Sequence, residues 1–306
     1  MSEEVEKELK KIPGLSWLIK QAKKIILPGL EGLSLYDLWE IYSVGIIKGT
    51  FSTRAGSIAF SFFMAIFPFL LFILNLIPYV WFIDDFQLEV LAFMDTLLPP
   101  QTSEFFNEIF ADIVNNPRGG LLSITFILSI FLMTNGINAI FTGFEFSYHT
   151  TINRSIIRQY LVALGTSIII ALMLLLSVIA FVYLTYIIED LKAIGIFSDN
   201  LYWAQIGRYL VFVLLIYNAV AILYYFGTKE GRNSRYFSVG AFFTTLLIML
   251  TTFLFSIYIE NFSTYNKLYG SIGALLILMV YIWINANILL LGFELNASIN
   301  RLKQNF

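Results

Sequence analysis

Polar side chains inside long apolar runs are the residues of this chain that could do chemistry. Lipid tolerates them only where protein or water supplies a partner. Around the run 119–143, Thr134, Asn138, Thr142 and Glu145 are spaced four, four and three apart, so they share one helical face, with Asn135 adjoining. In the run 237–260, Thr245, Thr252, Ser256 and Glu260 follow at intervals of seven, four and four. Asn287 and Glu294 align in the run 271–296, with Asn285 and Asn296 nearby. Ser61, Ala65, Pro68 and Asn75 stripe the first run, and Asn218 sits in the fourth. Two chemistries compete for such stripes. The side chains hydrogen-bond between packed helices, or they line a wet cavity through which a substrate or ion passes. On the second reading the pathway residues are Asn75, Asn135, Asn138, Glu145, Asn218, Glu260, Asn287 and Glu294. Glu145, Glu260 and Glu294 are then the groups able to carry protons. A plainer role is open to Glu145 and Glu294, which can pair with Arg54, Arg154, Arg158 or Arg301 at the interface.

Other chemistries lack their residues. The chain has no cysteine, which removes thiolate metal sites and cysteine nucleophiles, and its one histidine, His149, reads as a solvated loop residue. No phosphate-binding loop with a lysine and a hydroxyl residue is present, so ATP hydrolysis is not expected. The acidic stretch 83–118 holds Asp84, Asp85, Glu89, Asp95, Glu104, Glu108 and Asp112 without calcium-loop spacing, and reads as a solvated face. A net charge of −2 offers no concentrated cationic surface for nucleic acid. The expectation is a non-enzyme with no metal and no cofactor.

The elements that must position these residues are transmembrane helices. Of 306 residues, 58% are apolar and 13% charged, too few polar groups to cover a water-exposed globule. Six runs reach the roughly 20 residues a spanning helix needs: about 58–82, 119–143, 160–188, 206–226, 237–260 and 271–296. The fold class expected is an all-α membrane protein, a six-helix bundle. The segment 1–32 reads as cytoplasmic and carries no cleavable signal, 33–300 as one membrane domain, and 301–306 as a cytoplasmic tail. Residues 33–50 predict a helix lying at the interface, anchored by Tyr36, Trp39 and Tyr42. Two short amphipathic helices, separated at Pro99 and Pro100, are expected in 83–118 on the outer side. Pro68 and Pro78 each remove a backbone donor and predict kinks in the first span. No repeat with a period of 20–50 residues is found. With six spans, 15 of the 19 Lys and Arg residues fall on the side of the termini, which sets both ends in the cytoplasm.

Two stretches carry a family resemblance. Arg54-Ala55-Gly56-Ser57-Ile58-Ala59-Phe60, followed by Phe67-Pro68, resembles the first-span signature of the YihY/BrkB family of bacterial inner-membrane proteins. Tyr265-Asn266-Lys267-Leu268-Tyr269-Gly270-Ser271-Ile272-Gly273-Ala274, leading to Gly292-Phe293-Glu294-Leu295-Asn296-Ala297, resembles its last loop and span. The resemblance implies a six-helix protein of the bacterial inner membrane, with transport or lipid handling as its activity. Some members have carried the label ribonuclease BN. The residues here argue against that label, since one histidine and scattered basic side chains make neither an acid–base pair nor a strand groove.

Membrane lipids are the expected partners, with anionic headgroups favoured. Arg54, Tyr265, Asn266, Lys267, Tyr269 and Gly270 are the candidate headgroup residues. Asn266 and Lys267 precede the last span and could hold a phosphate. A tight turn at Gly270 capped by Ser271 is the alternative use of the same residues. The leading expectation is movement of a lipid or lipid-linked anionic molecule, and the alternative is a non-transporting envelope scaffold that binds a partner.

Overall fold

The computed structural model describes residues 21–25, 34, 36, 50–76, 92, 119–146, 155–193, 202–228, 231, 236–261 and 271–304. The interfacial helix expected over 33–50, the two outer helices of 83–118, His149, Pro78 and the segment Tyr265–Gly270 lie outside these residues, single positions apart. The described chain is helical: α1 Thr50–Leu76, α2 Gly119–Glu145, α3 Ile156–Ala193, α4 Tyr202–Gly227, α5 Val239–Asn261 and α6 Ser271–Gln304. Each helix overlaps one apolar run of the sequence. Five of them, α2 to α6, are long and apolar enough to cross a membrane. In α1 the charged Arg54 lies in the first turns, and the sequence from Ala55 to Leu76 carries no further charge.

Most helices are longer than their apolar runs, α3 most of all. Its 38 residues extend about 57 Å at 1.5 Å per residue, against a hydrocarbon core of about 30 Å, so it projects beyond the apolar layer. Local signals set several boundaries. The Ser238 hydroxyl accepts from the Ala241 N–H at 3.2 Å, an N-cap that starts α5. After α4, the Gly231 N–H donates to Thr228 Oγ1 at 3.0 Å. A Cβ at Gly231 would collide with the Tyr224 carbonyl, so the chain folds back onto the end of α4 only because residue 231 has none. Pro68 stands inside α1, where the helix continues despite the missing donor.

The helices close into a ring. Each packs on the next, α6 packs on α1, and α2 also touches α4 and α6, which sets it toward the middle. Arg54 at the start of α1 meets Gly143 at the end of α2. Gln159 at the start of α3 meets Thr142, Tyr224 at the end of α4 meets Thr244 at the start of α5, and Gly240 meets Gly292 in the last part of α6. Neighbours therefore alternate in direction. The starts of α1, α3 and α5 share one end of the ring with the ends of α2, α4 and α6.

Alanines with no exposed surface (Ala55, Ala163 and Ala241) lie where helices approach closely. Outward faces are apolar: Ile124, Ile127 and Phe131 on α2, Leu161, Leu172 and Leu176 on α3, and Phe242, Phe253 and Leu254 on α5 are exposed. An apolar exterior of this kind among the described residues is stable against lipid tails, not against water.

Candidate functional site

The densest polar and aromatic packing lies at the end of the ring where α1 begins. Arg54 Nη1 donates to the Gly143 carbonyl at 2.9 Å. That oxygen is among the last four of α2, which have no partner within the helix and carry its negative dipole end, so a guanidinium suits it. The rest of the guanidinium lies 4.6 Å from the Phe51 ring centroid, over its face. Glu294 of α6 is 6% exposed and interacts electrostatically with Arg54. A cation from α1 thereby holds the end of α2 within the field of an acid of α6. Glu145 is half-buried at the last residue of α2 and has partners of its own.

Beside the Arg54–Gly143 contact stands an aromatic cluster from three helices. Phe144 and Phe293 stack with centroids 4.0 Å apart at 11°, and Tyr224 meets both edge-on at 5.6 Å. The Tyr224 hydroxyl donates to the Leu289 carbonyl at 2.8 Å and lies 2.7 Å from Thr244 Oγ1, tying α4, α5 and α6 at one point. Glycines permit this approach. A Cβ on Gly292 would collide with Thr244 Oγ1 and stand 2.6 Å from the Tyr224 oxygen, and one on Gly227 would stand 2.5 Å from Phe144.

The polar stripes of the sequence fall mainly between helices. Gln159 Nε2 of α3 donates to Asn138 Oδ1 at 3.1 Å and to Thr142 Oγ1 at 2.9 Å on α2. Thr134 Oγ1 lies 3.1 Å from Ser167 Oγ across the same pair of helices. Interhelical bonds in membranes average about 0.6 kcal/mol each, so the three together contribute roughly 2 kcal/mol to the α2–α3 contact. Asn218 donates to the Leu214 carbonyl at 2.7 Å and accepts from the Tyr236 hydroxyl at 3.1 Å. Burial, and then the neighbouring Tyr217 phenol, push the Tyr236 hydroxyl above the ordinary phenol range, which keeps it a donor. Asn287 and Asn285 donate back to the carbonyls of Trp283 and Tyr281. Asn285 Oδ1 is buried with no hydrogen-bond partner. Thr252 Oγ1 lies 2.7 Å from the Tyr281 hydroxyl. Asn135 is half-buried beside the stripe. Asn75 and Glu260 belong to α1 and α5, and their side chains lie outside the described residues. Among the described residues no three acids or histidines come together in a way that could hold a metal ion.

Of the residues singled out in the sequence, Arg54 and Glu294 are brought together, and Asn138 joins Thr142 through Gln159. Gln159, Ser167, Tyr224, Thr244 and Tyr281 do comparable work and were not singled out. Gln159 and Ser167 could have been found by asking what α3 offers the stripe of α2. Tyr224 carries no such signal, because a tyrosine near a helix end usually reads as an interfacial anchor.

Residues 45–305, which contain all of the ring from α1 to α6, match the family described as virulence factor BrkB. The chain belongs to the BrkB family. The two signature stretches thus mark a match that runs through the middle of the chain as well. The ribonuclease-like protein YfkH of Bacillus subtilis is similar to it at 28% identity over 258 residues, 82% of this chain and 91% of YfkH. A UPF0761 membrane protein of Coxiella burnetii is 21% identical over 245 residues, 78% of this chain and 84% of the relative. No solved structure matches the chain. A BrkB chain with five helices fit to span, an apolar exterior and relatives described as membrane proteins is a membrane protein.

Proposed function

We propose that this BrkB-family protein is a six-span protein of the bacterial inner membrane, with both termini cytoplasmic, that moves a lipid or a lipid-linked anionic molecule across or between leaflets. It is not an enzyme on this reading, uses no cofactor and binds no nucleic acid. The observation that carries the proposal is Arg54. A half-buried guanidinium at one end of a membrane bundle, balanced by a buried Glu294, is the kind of intramembrane charge that marks a substrate or ion path. The sixth span is α1, whose apolar stretch follows that arginine. The excess of Lys and Arg on the side where α1 begins supports the orientation.

A second reading, a scaffold without transport, draws on a different observation. Gln159, Asn138, Thr142, Thr134 and Ser167 satisfy one another between α2 and α3, so their polarity is accounted for by packing. Leaflet-to-leaflet movement of labelled anionic phospholipid in proteoliposomes separates the two. Movement that requires wild-type protein and drops at least about tenfold in well-folded Glu294→Gln supports transport. Absence of protein-dependent movement for every lipid tested sinks it and leaves the scaffold.

A further inference from the structure

A second polar cluster stands near mid-membrane, between α5 and α6. Asn285 lies ten residues from Leu275 and twelve from Ala297, the limits of the apolar span of α6. At 1.5 Å per residue it is within a few ångströms of the middle of that span. Its Nδ2 donates to the Tyr281 carbonyl at 2.9 Å. A carbonyl only accepts, so the amide cannot be turned over, and Oδ1 is fixed on the other side. There it is buried with no hydrogen-bond partner. The hydroxyls of the cluster cannot supply one. Thr252 of α5 donates its proton to the Ile248 carbonyl at 2.8 Å, so at 2.7 Å from Tyr281 it accepts the phenol's proton. The Tyr281 ring lies against Phe255, centroids 5.2 Å apart, which holds it on α5. Both hydroxyl protons are thus spent. An unpaired amide oxygen is costly in an apolar layer whose lipid tails carry no donor.

We propose that Asn285 Oδ1, beside the Tyr281–Thr252 pair, is a binding site for a neutral hydroxyl group that donates to it. A cation is a poor fit, because a charge at that depth needs a carboxylate beside it. Glu260 and Glu294 stand eight residues from Thr252 and nine from Asn285, about 12 and 14 Å along their helices. A hydroxyl brings the missing donor and no charge. Water is one source, and the glycerol headgroup of an anionic lipid is the other. Thr252, Tyr281 and Asn285 are each half-buried, so the cluster keeps an edge open to what lies beside it in the membrane. The site deepens the transport reading, on which its use rests: a headgroup crossing the apolar layer meets there an acceptor for its hydroxyl, midway along α6.

Thermal unfolding in nanodiscs tests the site without any lipid movement. Leucine has nearly the shape of asparagine and no acceptor. Were the oxygen merely unpaired, Asn285→Leu would raise the midpoint, because it removes an unsatisfied buried group. A bound hydroxyl reverses the sign, and the midpoint should fall by at least about 3 °C. Asn287→Leu is the control. Asn287 makes the same back-bond, to the Trp283 carbonyl at 2.8 Å, without a buried unpaired oxygen, so its midpoint should hold or rise. Nanodiscs of phosphatidylglycerol and of phosphatidylmethanol, both singly anionic, identify the source, since only the first carries headgroup hydroxyls. A fall in phosphatidylglycerol alone assigns the site to the headgroup, and equal falls in both assign it to water. A midpoint that rises or holds in both lipids overturns the inference, as does a fall matched by Asn287→Leu. Lipid movement is measured separately. A site that passes this test without transport sinks only the transport reading, and transport with the wrong sign at Asn285 sinks only the site.

Discussion

Glycines in these helices have opposite tolerances that no composition reveals. A Cβ at Gly292 would strike Thr244 and the Tyr224 oxygen, whereas one at Gly56 or Gly165 meets nothing within 4 Å. Gly292→Ala should destabilise the protein by about 1–3 kcal/mol or more, the usual cost of overpacking. Gly56→Ala and Gly165→Ala should be neutral or stabilising by up to about 1 kcal/mol, since alanine is the better helix former. Thermal unfolding in detergent checks all three, and equal shifts would contradict the packing described at Gly292. Residue-level legibility was uneven for a geometric reason. Glu294 stood out as an acid in an apolar run, and its neighbour Arg54 as part of a signature. Thr245 was placed on the polar stripe of α5, yet it bonds back to the Ala241 carbonyl, while Thr244 makes the contact to Tyr224. One residue is about 100° around a helix, and a stripe with intervals of seven, four and four does not decide between the two.

Helices as units were easier to read. Each apolar run overlaps one helix, because a span must satisfy its backbone internally and needs a length the bilayer dictates. Ends were harder: α3 begins at Ile156 and α6 continues to Gln304, since a helix does not stop where the lipid does. The inward face of α3 was hidden for another reason. Its polar residues are few and small, so the run reads as apolar all round, and only the partner residues on α2 reveal the face that carries Gln159 and Ser167. Tryptophan scanning of α3 tests that face. Leu161→Trp, Leu172→Trp and Leu176→Trp replace exposed residues, and Ala163→Trp and Ser167→Trp replace residues with 0% and 2% exposure. The first three should leave membrane abundance within about twofold of wild type, and the last two should lower it by about tenfold, as overpacking in a closed interface does. Uniform tolerance along α3 would mean that the α2–α3 contact is not a packed one.

At the scale of the whole molecule, the alternation of directions places Ser155 and Gln304 at one end of the ring and Tyr202 at the other. With the proposed orientation, Ser155→Cys and Gln304→Cys should resist an impermeant maleimide in intact spheroplasts and react after permeabilisation, while Tyr202→Cys reacts at once. The converse pattern would invert the protein in the membrane without altering the ring.

The hydroxyl of Tyr224 has a consequence for how the chain is made. It sits in α4, but the carbonyl it donates to belongs to Leu289, 65 residues later. During synthesis α4 enters the membrane long before that acceptor exists, and until α6 arrives the phenol has, of its partners Thr244 and Leu289, only Thr244 of α5 within reach. The tie between α4, α5 and α6 at Tyr224 is therefore complete only once the last helix is in place. A nascent chain that stops after α5 leaves that phenol without its carbonyl acceptor and Gly240 without the backbone it packs on.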